Sequence, residues 1–295
     1  MERHGTVAII GVGLIGGSIG LALRARGLAQ RVIGIGRTQA TLADAERKGA
    51  IDAGTTDFDS GVAQADVTVV CTPVGQIAAA VIRAAERGPA RTLVTDAGST
   101  KRLIVEAVER NDHARAAFVA SHPIAGSERK GVAHASAELL EGRVCVITPT
   151  AQTPAGRLDR ARSFWASLGC ELVEMTPEAH DQSLAFTSHM PHAVAAALAA
   201  SIPDEFLRLA AGAYRDGTRV AASDPALWAG IFCANRQPVL VALTAFQDQL
   251  AAFRAALQAE DEEGLRTWWD IARGRRRLFD ARRPTLGTES ADGRH

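Results

Sequence analysis

The sequence of 295 residues predicts an α/β protein in which a doubly wound, mostly parallel sheet is followed by an all-helical domain. Short apolar runs alternate with segments of helical periodicity up to residue 176, which is typical of a parallel sheet covered on both faces. Beyond that point only helical patterns occur, and the chain is long for a single core. We therefore expect one domain over residues 1–176, a helical domain over 177–283 and a disordered tail over 284–295.

The first domain is expected to alternate strands and helices along the chain. Residues 6–10 form a short apolar run that ends at a glycine, as a buried parallel strand does. Further strands are predicted at residues 31–35, 67–71, 92–95, 118–120, 143–148 and 171–175. The helices between them are predicted at residues 14–26, 38–48, 76–86, 101–109 and 154–168.

The second domain is predicted to contain helices at residues 178–201, 205–211, 225–253 and 261–280. Small alanine side chains at residues 193–200 permit close contact between helices. Such a stripe suits a dimer interface or a well-packed helical core, and both interpretations stay open at this point.

Charge and cysteine usage restrict the partner and the compartment. With 33 basic and 33 acidic side chains the formal net charge is zero, so no summed field attracts nucleic acid or an anionic membrane. The uncharged run at residues 7–23 is too short and too rich in glycine for a membrane span. The partner is therefore expected to be a small molecule, with no nucleic acid and no membrane involved. The scattered cysteines, without a C-x-x-C pair, favour the cytoplasm.

A glycine fingerprint follows the first predicted strand. The segment Gly11-Val12-Gly13-Leu14-Ile15-Gly16 fits G-x-G-x-x-G at the opening of a helix. In this context the glycines make a tight turn, admit a pyrophosphate and pack the helix on the strand. The fingerprint predicts a Rossmann-like dinucleotide-binding domain. Its cofactor-binding residues are expected to be Gly11, Gly13, Leu14, Ile15, Gly16, Arg37, Thr38, Thr72 and Pro73.

The end of the second predicted strand bears on the choice of cofactor. A site for NAD usually carries an acidic residue there that binds the ribose 2′-hydroxyl. This chain has Gly36 followed by Arg37, and a guanidinium suits a 2′-phosphate. We expect NADP as the preferred cofactor, with NAD possible, because Arg37 also suits stacking on adenine or a solvated loop.

Two polar residues are expected at neighbouring strand ends in the first domain. Ser99 follows one strand, where it or Thr100 would cap the next helix. His122 follows the next strand along the chain, at the edge where open α/β sheets bind ligands. A hydrogen bond between Ser99 and His122 would hold the imidazole ready for proton transfer. We therefore expect His122 and Ser99 to be catalytic, although a lone histidine is often structural.

Further histidines raise the question of a metal. His189 and His192 lie three residues apart on one helix face, but no third ligand accompanies them at a persuasive spacing. The pair His180-Asp181 suits a structural position at a helix start as well as a place in the site. We expect no metal.

Taken together, the motifs resemble those of a known family, the prephenate and arogenate dehydrogenases of tyrosine biosynthesis. The resemblance covers about residues 6–280 and rests on the order and spacing of residues 11–18, 96–101, 121–128, 180–181, 188–192, 218–219 and 223–225. It implies a nucleotide-binding domain followed by a helical dimerisation domain, and hence a homodimer. We expect neither a chorismate mutase segment before the first strand nor a regulatory domain after residue 280.

The resemblance also implies roles for individual residues. His122 would be the catalytic base and Ser99 its support. The substrate-binding residues would be Glu128, His192, Gly212, Arg219 and Trp228, with Arg219 binding a substrate carboxylate. On the residues alone, Arg219 would equally form a salt bridge with Asp216 or Asp224. Glu128 favours arogenate slightly, because it could pair with an ammonium group, or it is a plain loop carboxylate.

The implied reaction is an oxidative decarboxylation. Hydride leaves the ring carbon that carries the 4-hydroxyl for the nicotinamide, His122 accepts the hydroxyl proton, and loss of CO₂ aromatises the ring. Three alternatives are another two-domain NAD(P)-dependent dehydrogenase, an imine reductase and a non-catalytic NADP-binding sensor.

Overall fold

The computed structural model describes residues 4–126 and 129–282. The chain divides into two compact units, residues 1–239 and 240–295. The predicted boundary at residue 176 lies within the first unit and stays a prediction. The predicted tail at 284–295 lies outside the described residues.

A six-stranded parallel sheet forms the centre of the first unit. Its strand order is β3-β2-β1-β4-β5-β6, the order of doubly wound dinucleotide-binding folds. The strands are β1 (Thr6–Ile10), β2 (Arg31–Ile35), β3 (Ala53–Thr55), β4 (Val67–Val70), β5 (Leu93–Asp96) and β6 (Phe118–Val119). The predicted Rossmann-like class is confirmed.

Helices cover both faces of this sheet because its strands are apolar on both sides. In β1, Val7 and Ile9 belong to one buried cluster and Ala8 and Ile10 to the other, as the twofold period of a strand requires. The helices of this part are α1 (Leu14–Ala25), α2 (Gln39–Arg47), α3 (Phe58–Val62), α4 (Val74–Arg87), α5 (Arg102–Val108) and α6 (Asp112–Ala117). The short elements β3, α3 and α6 were not predicted, since they contain too few residues for a period to be recognised.

A second, smaller sheet follows, and it corrects one prediction. The strand expected at residues 118–120 ends at Val119, and the chain begins a new strand, β7 (Ser121–Pro123), two residues later. The Ser121 N–H donates to Oδ1 of Asp96 at 3.0 Å instead of continuing the ladder beside β5. β7 pairs antiparallel with β8 (Val144–Ile147), and β8 pairs parallel with β9 (Glu171–Glu174). The helix α7 (Ala155–Ser167) connects β8 to β9.

No strand follows β9 among the described residues, so the all-helical character of the second part is confirmed. Its α-helices are α8 (Pro177–Leu184), α9 (Met190–Ser201), α10 (Gly212–Thr218), α11 (Pro225–Ala234), α12 (Arg236–Gln258) and α13 (Glu262–Arg282). Short 3₁₀ helices occur at Asp204–Leu209 and Arg219–Ala222. The first of these stands where an α-helix was predicted at residues 205–211, and α10 was not predicted.

Two long predicted helices are interrupted. A π-helical turn at Ala185–His189 separates α8 from α9. Pro191 lies in the following turn, and it has no N–H to donate to a carbonyl four residues earlier. The helix predicted at residues 225–253 breaks at Asn235, between α11 and α12.

The second unit contains most of α12 together with α13, and the rings of Phe253 and Trp268 pack there with centroids 5.0 Å apart. Within the part of the chain that the structure describes, no single helix is both long and apolar enough to cross a membrane. The bent pair α11 and α12 passes that test only when the two are taken together, by length and composition alone.

Candidate active site

The glycine loop after β1 has the backbone shape that a dinucleotide needs. Gly11 has a φ of +92°, and a Cβ there would lie 2.8 Å from the carbonyl oxygen of Cys71. A Cβ at Gly16 would lie 2.3 Å from the carbonyl oxygen of Gly11. A Cβ at Gly13, in contrast, would have nothing within 4 Å, so a phosphate can approach the backbone and the first turn of α1. These residues fit a dinucleotide cofactor.

A cavity of about 1250 Å³, which we call the dinucleotide groove, extends from this loop along the ends of β1, β2 and β4. The predicted cofactor-binding residues that line it are Gly11, Gly13, Arg37, Thr38, Thr72 and Pro73. The hydroxyl oxygen of Thr72 is buried and has no hydrogen-bond partner, which leaves it available to a bound molecule.

A second cavity of about 680 Å³, which we call the catalytic cavity, adjoins the groove. Gly13, Cys71, Thr72, Pro73 and Gly131 line both cavities. The predicted residues that line the catalytic cavity are Leu14, Ile15, Gly16, Ser99, His122, His192, Arg219 and Trp228. Gly212, the first residue of α10, is exposed and does not line it. Glu128 lies outside the described residues.

His122 has a different partner from the predicted one. Its Nδ1 lies 2.9 Å from Nε2 of His180. No hydrogen bond joins Ser99 to His122 among the described residues, although both line the catalytic cavity. The reason is that His122 lies within β7, opposite Val146 of β8, instead of at the end of the strand beside β5.

The first turn of α5 also departs from prediction. Neither Ser99 nor Thr100 caps it. The Asp181 carboxylate accepts the N–H of Lys101 on Oδ1 at 2.7 Å and the N–H of Arg102 on Oδ2 at 3.0 Å. Oδ1 of Asp181 also lies 2.8 Å from Nδ1 of His180. A carboxylate from α8 thus satisfies backbone donors that the local sequence leaves unpaired.

The electrostatics around His122 favour its neutral form. Burial lowers its pKa well below the ordinary value, and the neighbouring His180, Lys101 and His189 lower that pKa further. Lys101 is itself fully buried and paired with Asp96. A neutral imidazole can accept a proton, so His122 is suited to general base chemistry.

Two more histidines line the catalytic cavity. His189 is 1% exposed, and the amide nitrogen of Asn235 lies 3.0 Å from its Nδ1. Burial lowers the pKa of His189 to about 4. The His192 ring stacks on the indole of Trp228 with centroids 3.7 Å apart, and burial lowers its pKa. His192 Nδ1 donates to the carbonyl oxygen of Ser188 at 2.8 Å.

Positive charge dominates the described lining of the catalytic cavity. One lining carboxylate, Asp224, accompanies four cationic side chains, namely Arg129, Lys130, Arg143 and Arg219. The carboxylate of Asp224 pairs with Lys130, and that of Asp216 pairs with Arg215. The cavity is therefore suited to an anionic molecule. The described residues contain no group of three or more potential metal-ligating side chains.

Sequence reasoning did not assign His180, Asp181, His189, Asn235, Arg129 or Lys130 to the site. The pair His180-Asp181 was recognised as a motif, but the sequence did not indicate that these side chains lie next to His122. Asn235 carried no signal, because it lay within what looked like one uninterrupted helix.

The parallel sheet, the open glycine loop and the adjoining cavity lined by His122 define a nicotinamide-dependent oxidoreductase, and the chain binds a nicotinamide cofactor. Two family models match it: "Prephenate dehydrogenase, nucleotide-binding domain" over residues 19–174 and "Prephenate dehydrogenase, dimerization domain" over residues 176–270. The chain belongs to the prephenate dehydrogenase family.

Individual relatives agree with this assignment. A prephenate dehydrogenase of Bacillus subtilis (strain 168) is 34% identical over 92% of this chain and 75% of the relative. The structure of the A. aeolicus prephenate dehydrogenase, in complex with hydroxyphenyl propionate and NAD+, has a TM-score of 0.87 at 31% identity and covers 95% of this chain and 99% of that one. A Synechocystis arogenate dehydrogenase has a TM-score of 0.78 at 28% identity and covers 93% and 99%.

Proposed function

We propose that this chain oxidises and decarboxylates prephenate or arogenate in tyrosine biosynthesis, with transfer of hydride to a nicotinamide cofactor. The observation that carries the proposal is the position of His122, a half-buried histidine that lines a cationic cavity adjoining the dinucleotide groove. Family membership and the activities for which the relatives are named support it.

In this proposal His122 accepts the proton of the substrate's 4-hydroxyl as hydride leaves the carbon that bears it. Ser99 is proposed to contact the same hydroxyl, since it lines the catalytic cavity with His122. When bound, the cofactor supplies the C4 position that accepts the hydride. The C–C bond to the ring carboxylate then breaks, CO₂ leaves and the ring becomes aromatic.

The remaining residues bind the substrate. Arg219 pairs with a substrate carboxylate through its planar guanidinium, in a cavity where cations outnumber carboxylates among the described lining residues. The stacked pair His192 and Trp228 offers a flat apolar wall for the ring. Glu128 and Gly212 stay predictions as substrate-binding residues. The slight preference for arogenate, which depends on Glu128, also stays a prediction.

NADP is the proposed preferred cofactor. Gly36 provides no carboxylate at the end of β2, and the groove beside it is lined by Arg37, Arg47 and Lys48. Asp44 is the described carboxylate in this region, and it pairs with Arg47. A 2′-phosphate would thus meet net positive charge. A clear preference for NAD in kcat/KM would contradict this part of the proposal.

The helical part is proposed to mediate a homodimer, as the matched dimerization-domain model suggests. Large apolar side chains on α12 and α13, among them Trp269 and Ile271, are exposed in the single chain, which suits a partner copy. The division after residue 176 and a cytoplasmic location are part of the same proposal.

The proposal is tested by assaying the purified protein with prephenate and arogenate, each with NAD and with NADP, while following reduced cofactor and CO₂ release. One of the four combinations should turn over with equal amounts of both products. His122→Asn should lower kcat by roughly 10²- to 10⁴-fold, the usual contribution of a general base. His113→Asn, which changes an exposed histidine on α6, is the control and should leave kcat unchanged. Absence of turnover in all four combinations would overturn the proposal.

A further inference from the structure

A chain of three hydrogen-bonded side chains runs from the catalytic cavity into the core. His122 Nδ1 lies 2.9 Å from Nε2 of His180, and His180 Nδ1 lies 2.8 Å from Oδ1 of Asp181. His180 is 0% exposed and Asp181 is 1% exposed. An apolar side chain would fill the space of His180 at a lower desolvation cost, so packing alone does not explain a buried imidazole between His122 and Asp181.

The ring hydrogens of the two histidines in this series of hydrogen bonds can be assigned by starting from Asp181. Backbone N–H groups only donate, and both carboxylate oxygens of Asp181 accept one, from Lys101 and Arg102. Asp181 therefore acts as an acceptor toward His180, which must donate through its Nδ1–H. The Nε2 of a neutral His180 is then an acceptor, so His122 donates through its own Nδ1–H. Nε2 of His122 is left without a hydrogen.

We propose that His180 and Asp181 are positioning residues that hold His122 in the tautomer with a bare Nε2 and offset the charge that His122 gains when it accepts a proton. The first half of this inference concerns the resting protein and stands on the hydrogen-bond chain. The second half rests on the proposed function, in which His122 accepts the hydroxyl proton.

Asp181 is suited to the second task because of where it is held. The Lys101 ammonium lies near enough to His122 to disfavour a positive charge on its ring. An imidazolium at His122 would be unfavourable there without a counter-charge. The Asp181 carboxylate supplies one at the far side of His180, and the two backbone bonds from the start of α5 keep it in place. The amide of Asn235 also holds the Asp181 carbonyl, at 2.7 Å.

The first test is ¹⁵N NMR of the full-length protein labelled in histidine, above pH 7, with the His122 signals assigned by their loss in His122→Asn. A ring nitrogen that carries hydrogen differs clearly in shift from one that does not. The wild-type protein should show His122 with hydrogen on Nδ1 and none on Nε2. In His180→Leu the two tautomers of His122 should mix, because the acceptor is gone. Hydrogen on Nε2 of His122 in the wild-type protein would overturn the inference.

The second test is kinetic. His180→Leu should lower kcat by roughly 10²- to 10³-fold, within the range for loss of a base or of its tautomer, while KM and the dissociation constant of the cofactor change less than about twofold. His180→Gln places an amide oxygen where it can accept from His122, so it should restore kcat to within about tenfold of wild type. A purely structural role for His180 would predict no such rescue. The matched control is His113→Leu, the same change at an exposed histidine.

The outcomes separate this inference from the proposed function. A wild-type protein without turnover on either substrate overturns the proposed function, and the tautomer of His122 then decides the first half of the inference alone. A wild-type protein that turns over, with a folded His180→Leu variant of equal kcat, overturns the inference and leaves the proposed function standing. If His180→Leu does not fold, His180→Gln and the wild-type spectrum decide.

Discussion

Lys101 and Asp96 form an ion pair from which solvent is fully excluded, with both side chains 0% exposed. The Lys101 ammonium also donates to the carbonyl oxygen of Ser121 at 2.8 Å. Removing one partner of a buried pair leaves the other charge buried and unpaired, which costs far more stability than losing a surface pair. We expect Lys101→Met to lower the free energy of unfolding by about 3–5 kcal/mol, measured by urea denaturation.

The control for this prediction is Arg162→Met. Arg162 pairs with Glu174 at 2.6 Å and with Asp159 at 2.7 Å, but its side chain is 41% exposed and those of Glu174 and Asp159 are 36% and 70% exposed. Removing each exposed pair should cost less than about 1 kcal/mol. Equal losses in the two variants would show that burial of the Lys101 pair does not matter.

The second and third glycines of the fingerprint, Gly13 and Gly16, should respond differently to a side chain. Valine at Gly13 meets open space in the protein but would obstruct the phosphate, so Gly13→Val should keep the melting temperature and weaken cofactor binding at least about tenfold. Alanine at Gly16 would collide with the backbone of Gly11, so Gly16→Ala should destabilise the fold by about 1–3 kcal/mol. Calorimetry of unfolding and of cofactor binding measures both effects. Equal effects on both quantities in the two variants would contradict the assignment of the glycines.

Arg219→Met tests the proposed carboxylate contact. A charge-assisted hydrogen bond is worth about 1.5–3 kcal/mol, so the KM of the substrate should rise by roughly 10- to 100-fold with no change in the dissociation constant of the cofactor. Arg215→Met is the matched control, because Arg215 is 80% exposed and lies outside the cavity lining. An unchanged KM in Arg219→Met would remove Arg219 from substrate binding.

Buried neutral histidines should make the stability depend on pH. The pKa of His189 falls from 6.5 to about 4 on folding because of burial, and the pKa values of His122 and His180 are lowered for the same main reason. Above pH 6.5 the folded and unfolded chains are both neutral at these positions. Below it the unfolded chain binds protons that the folded chain does not, so stability falls as the pH falls toward 4.

His189 alone should contribute a loss of up to about 3 kcal/mol over that window. Urea denaturation between pH 7.5 and 4.5 measures the slope. His189→Asn, whose amide oxygen can still accept from Asn235, should reduce the slope, whereas His113→Asn should leave it unchanged. A stability that is independent of pH in this range would contradict the burial of neutral histidines.

Much of the fold was predictable because its signals are local. The strands at residues 6–10 and 31–35 agree with β1 and β2 to the residue, since a buried parallel strand is a continuous apolar run. Elements of three to six residues, such as β3 and α6, were missed because no period can be recognised over so few positions. The breaks at Ala185–His189 and Asn235 were missed because the apolar pattern continues through both.

The candidate site was predictable in its parts and not in its connections. His122, Arg219 and Trp228 were expected in the site and do line one cavity. Ser99 was expected to hold His122, yet His180 does so from 58 residues away. The N-terminus of α5 was expected to be capped by its own loop, yet Asp181 caps it from 80 residues away.

The sequence by itself determined the dinucleotide loop, because the tight turn, the close phosphate and the packing of the helix require glycine at Gly11, Gly13 and Gly16, within six consecutive residues. It also determined, through the order and spacing of its motifs, the family to which the chain belongs. Only the tertiary structure decided which side chain holds His122 and which carboxylate lies behind it. Hydrogen-bond partners from distant segments are chosen by how α5, α8 and β7 pack together, and that packing leaves no period or spacing in the sequence.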